Sequence, residues 1–129
     1  MAEQPSSKSL IEKLGVKPGG RISLLGVNDA AFLRELERAG ADVSRRRRAS
    51  SDLVFLAVEH GDDLARLAGL EPYLVRNGAV WAVFPKGRKD LREVDVIGAG
   101  VGAGLVDNKV VRFSETHTAL RFVIPLARR

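Results

Sequence analysis

The 129 residues of this chain include no cysteine, which excludes disulfide frameworks, thiolate nucleophiles and cysteine-based zinc sites. Aromatic residues make up only 5%, one Trp, one Tyr and five Phe, too few for a base-stacking platform that would grip single-stranded nucleic acid. No apolar run approaches the ~18 residues that a membrane span requires. The N-terminal "MAEQPSSKS" is polar and lacks the apolar stretch of a secretory signal, so a cytoplasmic location is the expectation. His60 and His117 are the only histidines, with neither H-x-H nor H-x-x-x-H spacing, and no metal is expected. There is no G-K-[ST] for a P-loop, and Ser50, Ser51 and Ser114 lack the glycines of a nucleophile elbow. These absences leave no cofactor indicated.

What is present fits one globular domain over residues 9–129 behind a disordered tail at 1–8: hydrophobic residues are 45% and charged residues 29%. The net charge of +5 is unevenly placed. Residues 1–64 carry 10 Lys/Arg and 10 Asp/Glu, whereas residues 65–129 carry 11 and 6. The basic clusters are Arg45, Arg46, Arg47 and Arg48, and the segment "KGRKDLR" with Lys86, Arg88 and Lys89. Such clusters attract anions, so these residues are candidates for weak nucleic-acid binding or for contact with a small anionic ligand. The plainer reading of Arg45 to Arg48 is an edge strand whose charges deter unwanted pairing.

Along the chain, Ser9 and Glu12 have capping-box spacing before a short helix that Gly15 can close. "RISLLGV" has strand character. "NDAAFLRELERAG" repeats apolar residues at helical spacing behind Asn28 or Asp29 as cap. "ADVSRRRR" reads as extended, and "SDLVFLAVE" as a strand buried on both faces. "DDLARLAGLEPYLVRNG" reads as a helix, kinked or restarted at Pro72 and ended by its NG pair. "AVWAVFP" is another buried strand, and "KVVRFSE" with "TALRFVIPLA" an antiparallel hairpin. Alternating strands and helices predict an α/β, Rossmann-like three-layer fold with a mainly parallel sheet and a C-terminal antiparallel β-hairpin. The expected strand order is 2-1-3-4-6-5.

"VDVIGAGVGAG" passes a permissive dinucleotide fingerprint, G-x-G-x-x-A, at Gly98, Gly100 and Ala103. That motif requires a strand before the glycines and a helix after them. Downstream, however, "LVDNKVVRF" is poor helix material. A helix through Leu91, Val94, Ile97 and Val101 fits better, capped by Asp90 with Glu93, its glycines permitting close packing on the sheet. The first strand–helix turn, "LLGVNDAAF", has one glycine where phosphate-binding turns carry two or three.

Two resemblances follow. The succession "LGVKPGGRISLLG", "SDLVFLAVE", "LEPYLVRNGAVWAVFPK" and a terminal hairpin resembles a shortened class I methyltransferase fold, with one strand–helix unit missing before "SDLVFLAVE". That family implies an S-adenosylmethionine site. Here "GVNDAAF" replaces its glycine-rich loop, and arginines stand where a ribose-holding carboxylate would end the second strand. "GLVDNKVVRFSETHTALRFV" is similar to the tail of a family of small bacterial proteins classed as a domain of unknown function. Its pattern carries Gly104, Leu105, Val106, Asp107 and Lys109; Ser114, His117 and Ala119 stand where it has Asp, Trp and Gly. From the residues themselves, Asp107 and Asn108 read as a turn or helix stop, and Lys109 as a charge partner or anion contact.

Ligands of open parallel sheets bind beyond the carboxyl ends of the strands. The residues placed there are Asn28, Asp29, Glu59, His60, Lys86 and Ser114 to His117, including Glu115. Lys86, His60 and His117 are the candidate catalytic residues. The leading reading is a non-enzymatic binding or regulatory module that lacks the cofactor loop. The alternatives are an enzyme acting on a small anionic ligand in the carboxyl-end crevice, and weak nucleic-acid association. A homodimer through the edge hairpin is a further expectation.

Overall fold

In the computed structural model, residues 8–129 are described; residues 1–7 of the expected tail lie outside them. Six strands form one sheet in the order β2-β1-β3-β4-β6-β5, as the sequence predicts. The strands are β1 (Arg21–Leu25), β2 (Asp42–Ser44), β3 (Ser51–Ala57), β4 (Leu74–Pro85), β5 (Val106–Arg112) and β6 (His117–Val123). β2, β1, β3 and β4 run parallel, while β6 pairs antiparallel with both β4 and β5. Residues 53–57 of β3 and 79–84 of β4 are continuously apolar because both faces are covered, and Phe55, Leu56, Val80, Trp81 and Ala82 are wholly buried.

On one face lie helices α1 (Leu10–Lys13) and α2 (Ala30–Arg38). Ser9 and Glu12 cap α1 reciprocally, and the Asp29 carboxylate accepts the Phe32 N–H at 3.0 Å to start α2. α1 is too short to hold itself. The buried Trp81 indole donates to the Leu14 carbonyl at 3.0 Å and ties the end of α1 to the centre of the sheet. Phe32 meets Phe55 and Phe113 edge-on at 5.3 and 4.8 Å, joining α2 to β3 and to the hairpin.

The other face carries α3 (Glu93–Gly102) and two 3₁₀ helices, Gly61–Gly69 and Glu71–Tyr73. The glycine stretch is thus helical, as its spacing predicts, with its cap shifted: Asp95 accepts the Arg92 N–H at 2.8 Å, not Asp90 with Glu93. Gly100 is the point of close approach. A Cβ there would lie 2.0 Å from the ring of Phe122.

Three other expectations are corrected. "LVRNG" does not end a helix but opens β4, where it pairs with β3 across a register shift. Pro72 has no N–H to continue a helix. Gly78 belongs in the strand because the carbonyls of Asp52 and Ser51 would stand 2.9 and 3.1 Å from a side chain. "ADVSRRRR" is extended only through Ser44, since the arginines form a crossover from β2 to β3 in six residues. Asp107 and Asn108 lie inside β5, at a register shift against β6, and the turn falls earlier, at Gly104 with φ +88°.

Candidate functional site

β1, β3 and β4 end together at one edge of the sheet, where the chain after β1 and after β3, Val83 of β4 and the β5–β6 turn line a cleft of 350 Å³. Gly26, with φ +78°, turns the chain out of β1 towards α2, and Val27, Asn28 and Asp29 line that side. Glu59 follows β3. Ser114, Thr116 and His117 come from the turn of the β5–β6 hairpin, with Phe113, Ala57 and Val83 as the apolar floor. Of the residues expected from sequence, Asn28, Asp29, Glu59, Ser114 and His117 meet here.

The hairpin and β3 are joined by a chain of polar contacts. His117 Nε2 lies 2.8 Å from Glu59 Oε2, and its Nδ1 lies 2.8 Å from Thr116 Oγ1. Thr116 Oγ1 lies in turn 3.3 Å from Ser114 Oγ, which accepts the N–H groups of Thr116 and His117. Both imidazole nitrogens therefore face protein partners. Asp29 is committed to capping α2. Among the described residues, the lining includes two carboxylates and neither lysine nor arginine.

His60, Lys86 and Glu115 are exposed and do not line the cleft. The Lys86 backbone N–H donates to the Thr116 carbonyl, fixing the hairpin turn. Asp63 accepts the N–H groups of Glu59 and His60 at 2.9 and 3.1 Å, which fixes the backbone under Glu59. Arg88 is a brace: its guanidinium donates to the Glu59 carbonyl at 2.6 Å and to both oxygens of Asp90. The hydrogen bond from Arg88 holds the Asp90 carboxyl below its ordinary value, and Asp90 raises Arg88 in return. Lys89 is exposed.

The four arginines separate. Arg48 turns inward, its backbone N–H donating to the buried Ser23 hydroxyl and its side chain to the Ile22 and Asp42 carbonyls and the Asp42 carboxylate. Arg45, Arg46 and Arg47 line a cavity against the 3₁₀ helix Gly61–Gly69. The tail residues Gly104 to Lys109 serve the fold: the Gly104 carbonyl accepts from Arg128, and Leu105 is buried. Lys109 Nζ donates to the Lys13 carbonyl at 2.8 Å. Among the described residues no three His, Asp or Glu side chains converge as metal ligands would, and no helix is long and apolar enough to cross a membrane.

Sequence reasoning did not single out Phe113 or Gly26 as cleft residues. Thr116 lay within the Ser114–His117 segment, but nothing in the sequence paired it with His117. Only hairpin register and strand order bring Glu59 to His117, 58 positions away.

A mainly parallel sheet, helices on both faces and an antiparallel terminal hairpin define a Rossmann-like α/β fold. Its particular version is methyltransferase-like, resembling solved S-adenosylmethionine-dependent methyltransferases. A TehB-like methyltransferase from Corynebacterium glutamicum superposes with a TM-score of 0.66 at 14% identity, over 88% of this chain and 85% of that one. A methyltransferase from Aquifex aeolicus gives 0.66 at 13%, over 87% and 86%. The magnesium protoporphyrin IX methyltransferase of Synechocystis, solved with bound SAH, gives 0.65 at 13%, over 88% and 78%. No family model and no curated protein matches the sequence.

Proposed function

We propose that the protein is a non-catalytic binding or regulatory module on a methyltransferase-like fold, whose carboxyl-end cleft takes a small polar ligand bearing a cationic group. The observation that carries this reading is that Glu59, His117, Thr116 and Ser114 of the cleft are already engaged with one another. With Glu59 on one nitrogen of His117 and Thr116 on the other, the imidazole has no nitrogen turned to a substrate proton. A general base must reach the proton it removes.

The first strand–helix turn supports the same reading. A single glycine, Gly26, stands in place of the glycine-rich loop of an S-adenosylmethionine site, and the α2 N-terminus, where the phosphate of a dinucleotide would sit, holds the Asp29 carboxylate. The carboxylates of Asp29 and Glu59, with no cation in the lining, favour a cationic group over the small anion that the alternative enzyme would take. The likeness of Gly104 to Val123 to a small bacterial family of unknown function adds no activity.

Calorimetric titration tests the proposal. S-adenosylmethionine, S-adenosylhomocysteine and NADP should give no binding at millimolar concentration; micromolar binding of any of them overturns it. Agmatine, as a cationic probe, should shift the amide resonances of Gly26, Glu59 and His117, and acetyl phosphate should not. Turnover of acetyl phosphate that is lost in His117→Ala would favour the enzyme instead.

A further inference from the structure

On the opposite face of the sheet from the α2 side lies a second concavity, of 580 Å³, between the β2–β3 crossover and the 3₁₀ helix Gly61–Gly69. A parallel crossover ordinarily takes a dozen or more residues and includes a helix. Here six residues make it, which leaves Leu25 and Leu70 at the base of an uncovered hollow. Its walls are Arg45, Arg46 and Arg47 on the crossover, Arg66 on the 3₁₀ helix, and Tyr73. Among the described residues no carboxylate lines it.

Four arginines outside the hollow have acidic partners, Arg38 with Glu35, Arg88 with Asp90, Arg92 with Asp95 and Arg128 with Glu71, while others, such as Arg76 and Arg129, donate to backbone carbonyls. Among the described residues, none of the four in the hollow forms an ion pair. Like charges gathered round a concave, apolar-floored site focus a field that an anion relieves. The loop is also fixed in advance. Ser51 donates its hydroxyl proton to the Arg48 carbonyl at 2.6 Å, Ser23 therefore donates to Ser51, and Ser23 Oγ accepts the Arg48 N–H. Both serines are fully buried. Arg47 is stacked 5.2 Å from the centre of the Tyr73 ring, which gives one wall a flat face.

We propose that this hollow binds a nucleotide-sized ligand with at least two adjacent anionic groups, chemically a nucleoside diphosphate. Arginine forks suit phosphate oxygens, and the volume lies in the range of small-molecule sites. A free nucleotide is favoured over a nucleic-acid strand because the cationic surface stops at the hollow. Arg48 and Arg21, next along the edge, are both turned to Asp42, so no basic track leads a longer polyanion away. The hollow adjoins the carboxyl-end cleft at one point, where Arg45 donates to Asn28 Oδ1 at 3.4 Å, and its test uses Arg46 and Arg66, which do not line that cleft.

Titration calorimetry of the full chain with ADP, inorganic pyrophosphate and adenosine tests the proposal. ADP and pyrophosphate should bind, adenosine should not, and affinity should fall with added salt. Arg46→Ala and Arg66→Ala should each weaken ADP binding roughly tenfold, the order set by losing a charge-assisted hydrogen bond. Arg38→Ala, on α2, should leave it unchanged. Both hollow residues are exposed and outside any ion pair, so the variants should melt with the parent; Arg46→Lys, which keeps the charge, should retain part of the affinity. The proposal is overturned if neither ADP nor pyrophosphate binds at millimolar concentration, or if the alanine variants bind ADP as the parent does. It is equally overturned if a single-stranded oligonucleotide binds while ADP does not.

Discussion

Gly100→Ala is the sharpest test of the packing argument, because three glycines of α3 are predicted to respond with different signs. At Gly100 the added Cβ would lie 2.0 Å from Phe122 Cε1 and 2.5 Å from both Cδ1 and Cζ. An ordinary carbon contact is about 3.5–4.0 Å, so ring or helix must move by roughly 1.5 Å. Phe122 is wholly buried between β4 and β5, and its ring cannot yield without displacing core. Overpacking of this kind costs about 1–3 kcal/mol. A clash this close belongs at the upper end, and the ~1 kcal/mol helix-propensity gain of Gly→Ala offsets part of it. The net loss is about 2 kcal/mol. At Gly98 and Gly102 nothing lies within 4 Å of the added carbon, so alanine there should stabilise by up to ~1 kcal/mol. Urea unfolding followed by the fluorescence of Trp81, the only tryptophan, gives all three values. At this size 1 kcal/mol moves the melting temperature by roughly 3–6 °C. If Gly100→Ala proves as stabilising as Gly98→Ala, α3 does not rest on Phe122 and the packing argument fails.

Three further outcomes are expected. Ser23→Ala leaves the part-buried Arg48 N–H without its acceptor and the buried Ser51 oxygen without its donor, and should cost about 1–3 kcal/mol in urea unfolding; with Ser51→Ala the double variant should lose less than the sum, because the hydroxyls share one chain of bonds. Trp81→Phe removes the donor to Leu14 and should cost about 2–3 kcal/mol, with hydrogen exchange at Leu14 and Gly15 accelerating more than the global loss explains. Asp90, held low by Arg88, contributes stability that is fully present above the ordinary value of 3.8 and is lost as pH falls through its lower native value. A carboxyl-detected NMR titration should place Asp90 below 3.8, and Arg88→Gln should return it towards that value.

Particular elements show how far the sequence reaches. The capping box of Ser9 and Glu12, the Asp29 cap, the buried strands and the hairpin were all legible, since each is written in neighbouring residues. The helical reading of "VDVIGAGVGAG" over a phosphate loop also held, because a phosphate loop needs a particular strand before it and helix after it. "LEPYLVRNG" misled. Its helical spacing was overridden by the open edge of β3, with which Leu74 pairs. The arginine run misled in another way. Its charge was evident, but Arg48 turned inward to brace the crossover while its three neighbours turned out, a division set by the buried serines of two different strands.

By itself the sequence determined the class of fold, the order of the strands and the absence of a glycine-rich turn after β1. Those properties follow from local periodicity, capping chemistry and backbone freedom, which act over a few residues. Only the tertiary structure decided that Glu59 and Thr116 would occupy both nitrogens of His117, and that Arg66 would join Arg45, Arg46 and Arg47 round one hollow. Such meetings depend on strand register and on the path of a six-residue crossover. Both are set by the burial of side chains far apart in the chain, and no local pattern records them.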